Sequence, residues 1–164
     1  MQEPELIVDY APRPQFAAFH RRRERFACIV THRRAGKTVA CVHELQRAAI
    51  RCEKARPRFA YLAPFLKQSK AVAWDYLRDA VSLVRPHGAT VHESELRVDY
   101  PEGGQVRLYG ADNPDAMRGI YLDGIVLDEY ADMDPRVWSE IIRPALADRQ
   151  PVGRNKRNAL RRLR

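Results

Sequence analysis

Residues 31–38, THRRAGKT, set a glycine, a lysine and a hydroxyl side chain in succession behind two arginines. These are the residue types that a turn built around phosphate requires. In the P-loop pattern G-x-x-x-x-G-K-[ST], glycine lets the backbone curl closely around the anion and exposed amides at a helix N-terminus bind it. The lysine carries mobile charge to the β and γ phosphates, and the hydroxyl holds magnesium. Gly36, Lys37 and Thr38 fit that pattern, whereas Thr31 occupies the first glycine position. The plain alternative is a basic turn that happens to spell GKT. The position of the octet between an apolar run and a helical pattern argues for the functional reading, with ATP and Mg2+ as cofactors.

A second constellation lies about 90 residues further on, where GIVLDEY ends in two adjacent carboxylates. A P-loop alone binds nucleotide; hydrolysis also needs a carboxylate near magnesium and a group that orients the attacking water. Asp128 stands where an apolar strand runs out and is the candidate metal carboxylate, shared with Thr38. Glu129 follows as the candidate to polarise water. Read alone, the pair would equally suit a cap on the next helix. Behind a P-loop it reads as a Walker B motif completing a Walker A motif.

The elements that must position these residues are legible from periodicity. RFACIVT at 25–31 reads as a short buried strand, and KTVACVHELQRAAIRCEK at 37–54 has the apolar spacing of a helix packed on a sheet. RFAYLAP at 58–64 predicts a second buried strand closed by Pro64, and residues 67–84 another amphipathic helix. From 90 to 110 the period falls to two: SELRVDY, the turn PEGG and QVRLYG form a hairpin. GIVLDEY is a third buried strand, and residues 134–149 form a helix that Pro144 kinks or divides. Strands alternating with helices predict an α/β fold, a P-loop NTPase whose mainly parallel sheet is flanked by helices, with the hairpin as an antiparallel insertion.

At 164 residues and 18.9 kDa the chain suits one domain with a real core. No run approaches the roughly eighteen apolar residues of a membrane span. The N-terminus, MQEPELIVDYAPRPQ, lacks the pattern of a secretory signal, so a cytoplasmic protein is expected. Cys28, Cys41 and Cys52 show neither disulfide nor zinc spacing and read as small apolar fillers. The net charge of +8 is concentrated in residues 151–164, which hold six basic residues and no acids; residues 1–150 carry 23 basic against 21 acidic. Residues 1–150 therefore form the partial ATPase domain and 151–164 a basic tail, read as solvated and disordered in preference to a nucleic-acid contact. HRRRER at 20–25 reads as a solvated helix face, and Trp74 and Trp138 as core.

Over residues 5–150 the chain resembles the large terminase subunit of tailed bacteriophages, the ATPase that drives DNA into a preformed capsid. Terminases replace the first P-loop glycine and carry arginine inside the loop, as Thr31, Arg33 and Arg34 do here. YLAPFLKQSKAVAWDYL is similar to the segment after the family's second strand. SELRVDYPEGGQVRLYGADNPDAMRGIYLDGIVLDEYADM is similar to its hairpin, arginine loop and acidic motif. The resemblance implies that Gln15 recognises adenine, with Phe16 or Tyr10 stacking on the base. It implies that Arg33, Arg34, Ala35, Gly36, Lys37 and Thr38 bind nucleotide, and that Arg118 is an arginine finger for the next subunit of a homo-oligomeric ring. Arg118 paired with Asp115 or Asp123 is the bland alternative. Arg33 and Arg34 are left between phosphate contact and support of the acidic strand end.

The implied partners are double-stranded DNA, a portal protein and the small terminase subunit, in a bacterial host, phage or prophage encoded, with no membrane. After PALADRQ the family continues with a coupling strand and a nuclease domain, where this sequence reads PVGRNKRNALRRLR. The expectation is therefore a C-terminally incomplete ATPase fragment that does not cut DNA. The competing readings are a helicase-like DNA translocase and an inactive prophage remnant that binds nucleotide or nucleic acid without turnover.

Overall fold

A computed structural model of the chain describes residues 10–82, 84–101 and 103–147. Five strands form one mixed sheet: β1 (Arg58–Ala63), β2 (Thr90–His92), β3 (Arg97–Asp99), β4 (Gln105–Gly110) and β5 (Gly124–Leu127), in the order β2-β3-β4-β1-β5. β1 pairs in parallel with β4 on one side and β5 on the other, while β2, β3 and β4 run antiparallel. The expected hairpin is present as β3 and β4, but it is not a separate addition. β4 is an interior strand of the sheet, and the three-residue β2, unforeseen in the sequence, extends the hairpin outward.

The helices are α1 (Ala17–Arg21), α2 (Lys37–Arg51), α3 (Leu66–Ser69), α4 (Asp75–Ser82) and α5 (Arg143–Ala147). Between α3 and α4 the helix widens into a π turn at Lys70–Trp74, and a second π segment, Val137–Ile142, runs into α5. Pro144 lacks the N–H that an interior helical residue donates. It falls just after the π segment, where regular i to i−4 bonding has already been interrupted, so the helix passes through it instead of breaking.

Helices cover both faces of the sheet, which explains why β1 reads as an unbroken apolar run. Alternate side chains of a strand point to opposite faces. Phe59 and Tyr61 pack with Val42, Leu45, Trp74 and Leu77 of one helical layer; Ala60 and Leu62 pack with Met117, Leu122, Val137 and Ile142 on the other. Burying each large apolar side chain is worth about 1.5–3 kcal/mol. Trp74 is core, as expected, with its indole N–H donated to Glu93 at 2.8 Å. Trp138 is partly buried against the second layer.

One strand expectation fails. Residues 25–31 form no strand and are largely exposed, with Phe26 64% and Val30 88% accessible. β5 ends the sheet, and no described strand lies along its outer edge. A strand is defined by a neighbour to bond, and among the described residues this segment has none. Cys28, expected to be a filler, is exposed for the same reason; Cys41 is buried and Cys52 partly so.

HRRRER is also more structural than a solvated face. Glu44 on α2, whose side chain is 14% exposed, accepts His20 Nδ1, Arg22 Nη1 and Arg47 Nη2 at 2.7–2.9 Å. Tyr10 stacks on His43 with ring centroids 3.9 Å apart, and its hydroxyl meets His20 Nε2 at 3.3 Å. This cluster fastens residues 10–22 to α2. The 151–164 tail lies outside the described residues.

Candidate nucleotide site

The loop 31–36 enters α2 through Gly36, which sits in the left-handed region at φ +97°. Glycine adopts that conformation without the steric penalty of a Cβ. No side chain caps the N-terminus of α2. Its first-turn amides therefore have neither an intrahelical nor a side-chain acceptor and suit an anion. Lys37 forms no ion pair with any described residue, so its ammonium is uncommitted. Arg34 is held at φ 63°, a strained setting for a residue with a Cβ. Arg33 and Arg34 are exposed and their side chains have no described ion-pair partner. Support of the acidic strand end by either arginine is therefore not what this structure contains.

Two residues of the N-terminal segment grip the loop. Arg13 Nη1 donates to the carbonyls of Ala35 at 3.0 Å and Arg34 at 3.4 Å, and Gln15 Nε2 donates to Ala35 at 3.3 Å. Gln15 thus lies against the P-loop, at one end of an open cleft of about 370 Å³ that extends along Cys28, Val30 and Thr31. The stacking expectation for the neighbouring aromatics is not met. Phe16 is 1% exposed and packs beneath the loop against Ala35 and Ala40, and Tyr10 is committed to His43.

The acidic end of β5 reaches the loop side through Tyr61. The Asp128 amide donates to the Leu62 carbonyl at 2.8 Å, continuing the β1 pairing one step beyond β5. The Tyr61 hydroxyl donates to Asp128 Oδ2 at 2.6 Å, and the Thr38 side chain lies against the same phenol. Burial, then the bond to Asp128 and its charge, push the Tyr61 phenol far above its ordinary range, so it stays a protonated donor. Cys41, one turn along α2 from Lys37, is pushed up to about 12, first by burial and then by the charge of Asp128. It is an inert thiol.

Thr38 and Asp128 offer only oxygen donors, the preference of a hard cation that keeps water and phosphate oxygens as its remaining ligands. No group of three or more His, Cys, Asp or Glu converges among the described residues. A cation here would be completed by a nucleotide, not by a protein cage.

Glu129 is exposed and left-handed, at φ 50° and ψ 45°, which turns the chain away from the sheet immediately after Asp128. Arg118 stands apart on the loop after β4, with its Nε 2.6 Å from Asp115 Oδ1 and both side chains mostly exposed. Asp123 is instead bound to Lys54 at 2.7 Å. Sequence reasoning does not single out Arg13 or Tyr61. The only signal for Tyr61 is a phenol inside an otherwise apolar strand, and a buried tyrosine usually needs a partner for its hydroxyl.

A mixed sheet covered on both faces, with a glycine-led loop opening one of the covering helices, defines an α/β domain with a candidate phosphate-binding loop. No protein-family profile matches the sequence. The large terminase subunits of Thermus phage G20c and Thermus virus P23-45 are each 41% identical over 64 residues, a match covering 36% of this chain and 13% of theirs. The large terminase ATPase domain of Thermus phage P74-26 superposes with a TM-score of 0.71 at 26% identity, over 87% of this chain and 62% of that one. The large terminase of another thermophilic bacteriophage, in complex with ADP, shares the fold at a TM-score of 0.52 and 19% identity, over 73% of this chain and 29% of that one. In sequence and in fold the chain is similar to the ATPase domain of phage large terminases. It spans less than two thirds of the length of the relatives it matches.

Proposed function

We propose that the chain binds ATP with Mg2+ and supplies the ATP-hydrolysing site of a viral DNA-packaging motor. The observation that carries this reading is the meeting of Thr38 and Asp128, distant in sequence, at a single phenol. Magnesium bound there with nucleotide would offset phosphate charge. In this reading the α2 amides and Lys37 hold the β and γ phosphates, Gln15 faces the base, and Arg33 and Arg34 lie beside the phosphates. Glu129 takes the role of orienting water. Arg118 is exposed and tied only by a surface pair of the kind worth about 0–1 kcal/mol, so a neighbouring subunit's phosphate can draw it away. Double-stranded DNA, a portal protein, the small terminase subunit and a homo-oligomeric ring are the partners that the homology supports. Structures of the thermophilic bacteriophage's large terminase with ADP and with ATP-gamma-S support the choice of nucleotide.

A second reading, nucleotide binding without turnover, is favoured by the absence, among the described residues, of strand pairing at 25–31 behind the loop and along the outer edge of β5. A P-loop without a strand beneath it is less rigidly held than efficient hydrolysis requires. Mg2+-dependent ATP binding and phosphate release by the purified chain, beside Lys37→Ala and Glu129→Gln, separate the two. Loss of binding in Lys37→Ala with loss of turnover in Glu129→Gln supports the motor ATPase. Binding with no turnover in the wild type selects the second reading, and ATP binding equal in wild type and Lys37→Ala removes both.

A further inference from the structure

Tyr61 is among the largest fully buried side chains of the molecule, 1% exposed at the centre of β1. Its ring belongs to the apolar layer beneath α2, beside Cys41, Val42 and Leu45. Phenylalanine would fill that space with the same volume and without a polar atom to satisfy. A hydroxyl in such a place costs stability unless it is hydrogen-bonded. Here it is bonded, at 2.6 Å, to Asp128 Oδ2. Its position follows from the register. Tyr61 is paired with Val126 across β1 and β5, so the carboxylate two residues past Val126 comes within reach of the phenol on the same face. The Thr38 side chain, near the start of α2, also lies against that phenol.

Building on the ATP-binding reading above, we propose that Tyr61 is a positioning residue for the cation site: its hydroxyl holds one oxygen of Asp128, fixing the carboxylate's rotation so that the other oxygen is presented toward Thr38. The phenol does not reach nucleotide itself. It acts by restricting a side chain that would otherwise rotate about its terminal torsion, for which the rotamer wells are broad. Groups that orient metal ligands in this way typically change metal affinity about 10- to 100-fold when removed.

The test is Tyr61→Phe in the full chain, read by equilibrium binding of a fluorescent ATP analogue with and without Mg2+. The expected result is Mg2+-free affinity unchanged and the half-saturating Mg2+ concentration raised about tenfold. In an Asp128→Asn background, Tyr61→Phe then has no further effect on Mg2+ dependence. Equal losses with and without Mg2+, or effects that simply add to those of Asp128→Asn, overturn the inference in favour of a packing role. Mg2+ dependence identical to wild type also overturns it and leaves the ATP site standing. Absence of Mg2+-dependent binding in the wild type removes the ATP-site reading and this inference together. If Tyr61→Phe does not fold, 3-fluorotyrosine placed at position 61 keeps the shape. Its fluorine resonance must shift when Mg2+ and nucleotide are added and stay still in Asp128→Asn; a resonance indifferent to Mg2+ overturns the proposal.

Discussion

The guanidinium of Arg13 hydrogen-bonds the carbonyl of Ala35 at 3.0 Å, 22 residues away in sequence, and so clamps the P-loop from outside. Because the neighbouring Gln15 bonds the same carbonyl, the segment that would read the base and the loop that would hold the phosphates move as one unit. Arg13→Ala is expected to lower ATP affinity about fivefold, the equivalent of about 1 kcal/mol for a partly exposed charged hydrogen bond. Arg13→Lys, which cannot span two carbonyls with a planar fork, should recover only part of this. Isothermal titration of the two variants against wild type checks both statements.

Gly36 makes a different demand. A Cβ built there meets Arg13 only at an ordinary contact distance of 3.6 Å, so space is available; the difficulty is its φ of +97°. Gly36→Ala is expected to cost about 1–2 kcal/mol if the loop keeps its shape. Relaxation of the loop transfers that cost to the ligand, giving about tenfold weaker ATP binding with little change in unfolding midpoint. A midpoint lowered with affinity intact would contradict this.

Asp123 joins the starts of β1 and β5, which run in parallel. Its side chain, 3% exposed, bonds Lys54 at 2.7 Å and accepts the Arg58 amide at 3.0 Å. Removing one partner of a buried ion pair typically costs about 3–5 kcal/mol. Asp123→Ala should lie at the low end, about 3 kcal/mol, because Lys54 retains some access to water. Urea unfolding followed by circular dichroism measures it.

Acid should loosen the N-terminal segment through Glu44. Burial pushes this carboxyl up, but the hydrogen bond from His20 and the charges of Arg47 and Arg22 outweigh burial and hold it below the usual glutamate range. A carboxyl with a folded pKa below its unfolded one stabilises the fold above the unfolded value, and that stability is lost as pH falls through the folded value. His43 acts in the same sense: burial, and then His20, lower its pKa, so acid favours the unfolded chain, which binds the proton more readily. The stability advantage of wild type over Glu44→Gln should therefore be largest near neutrality and shrink as pH falls below about 4.3. A constant difference between about pH 7 and about pH 3 would rule out the linkage.

How much of this is readable from sequence varies with the physics of each element. α2, β1 and β5 are legible because a helix and a doubly covered strand carry their packing in their own periodicity. Residues 25–31 have the same apolar signature as β1, yet strand formation depends on a neighbour that the period does not specify. β2 escapes notice because three residues are too few to show alternation. Within the candidate site, Gly36, Lys37, Thr38 and Asp128 are visible because the phosphate-loop and acidic strand-end patterns name a residue type at each position. Tyr61 and Arg13 are hidden because a tyrosine in a strand and an arginine before a proline have many ordinary uses. Arg118 admits two readings in the sequence, and it rests on Asp115 in the isolated chain.

Among the described residues, four with a Cβ occupy left-handed backbone positions: Arg56 and Leu96 in the turns entering β1 and β3, and Arg34 and Glu129 in the loop before α2 and next to Asp128. On the proposed ATPase reading, the last two set heat resistance against chemistry. Glycine at either position would relieve about 1 kcal/mol of backbone strain. A variant library selected only for survival of heating should therefore enrich glycine at 34 and 129, whereas selection for nucleotide turnover should purge it, most strictly at 129. Divergence of the two selected pools at these positions would mark where the chain has traded durability for a working carboxylate.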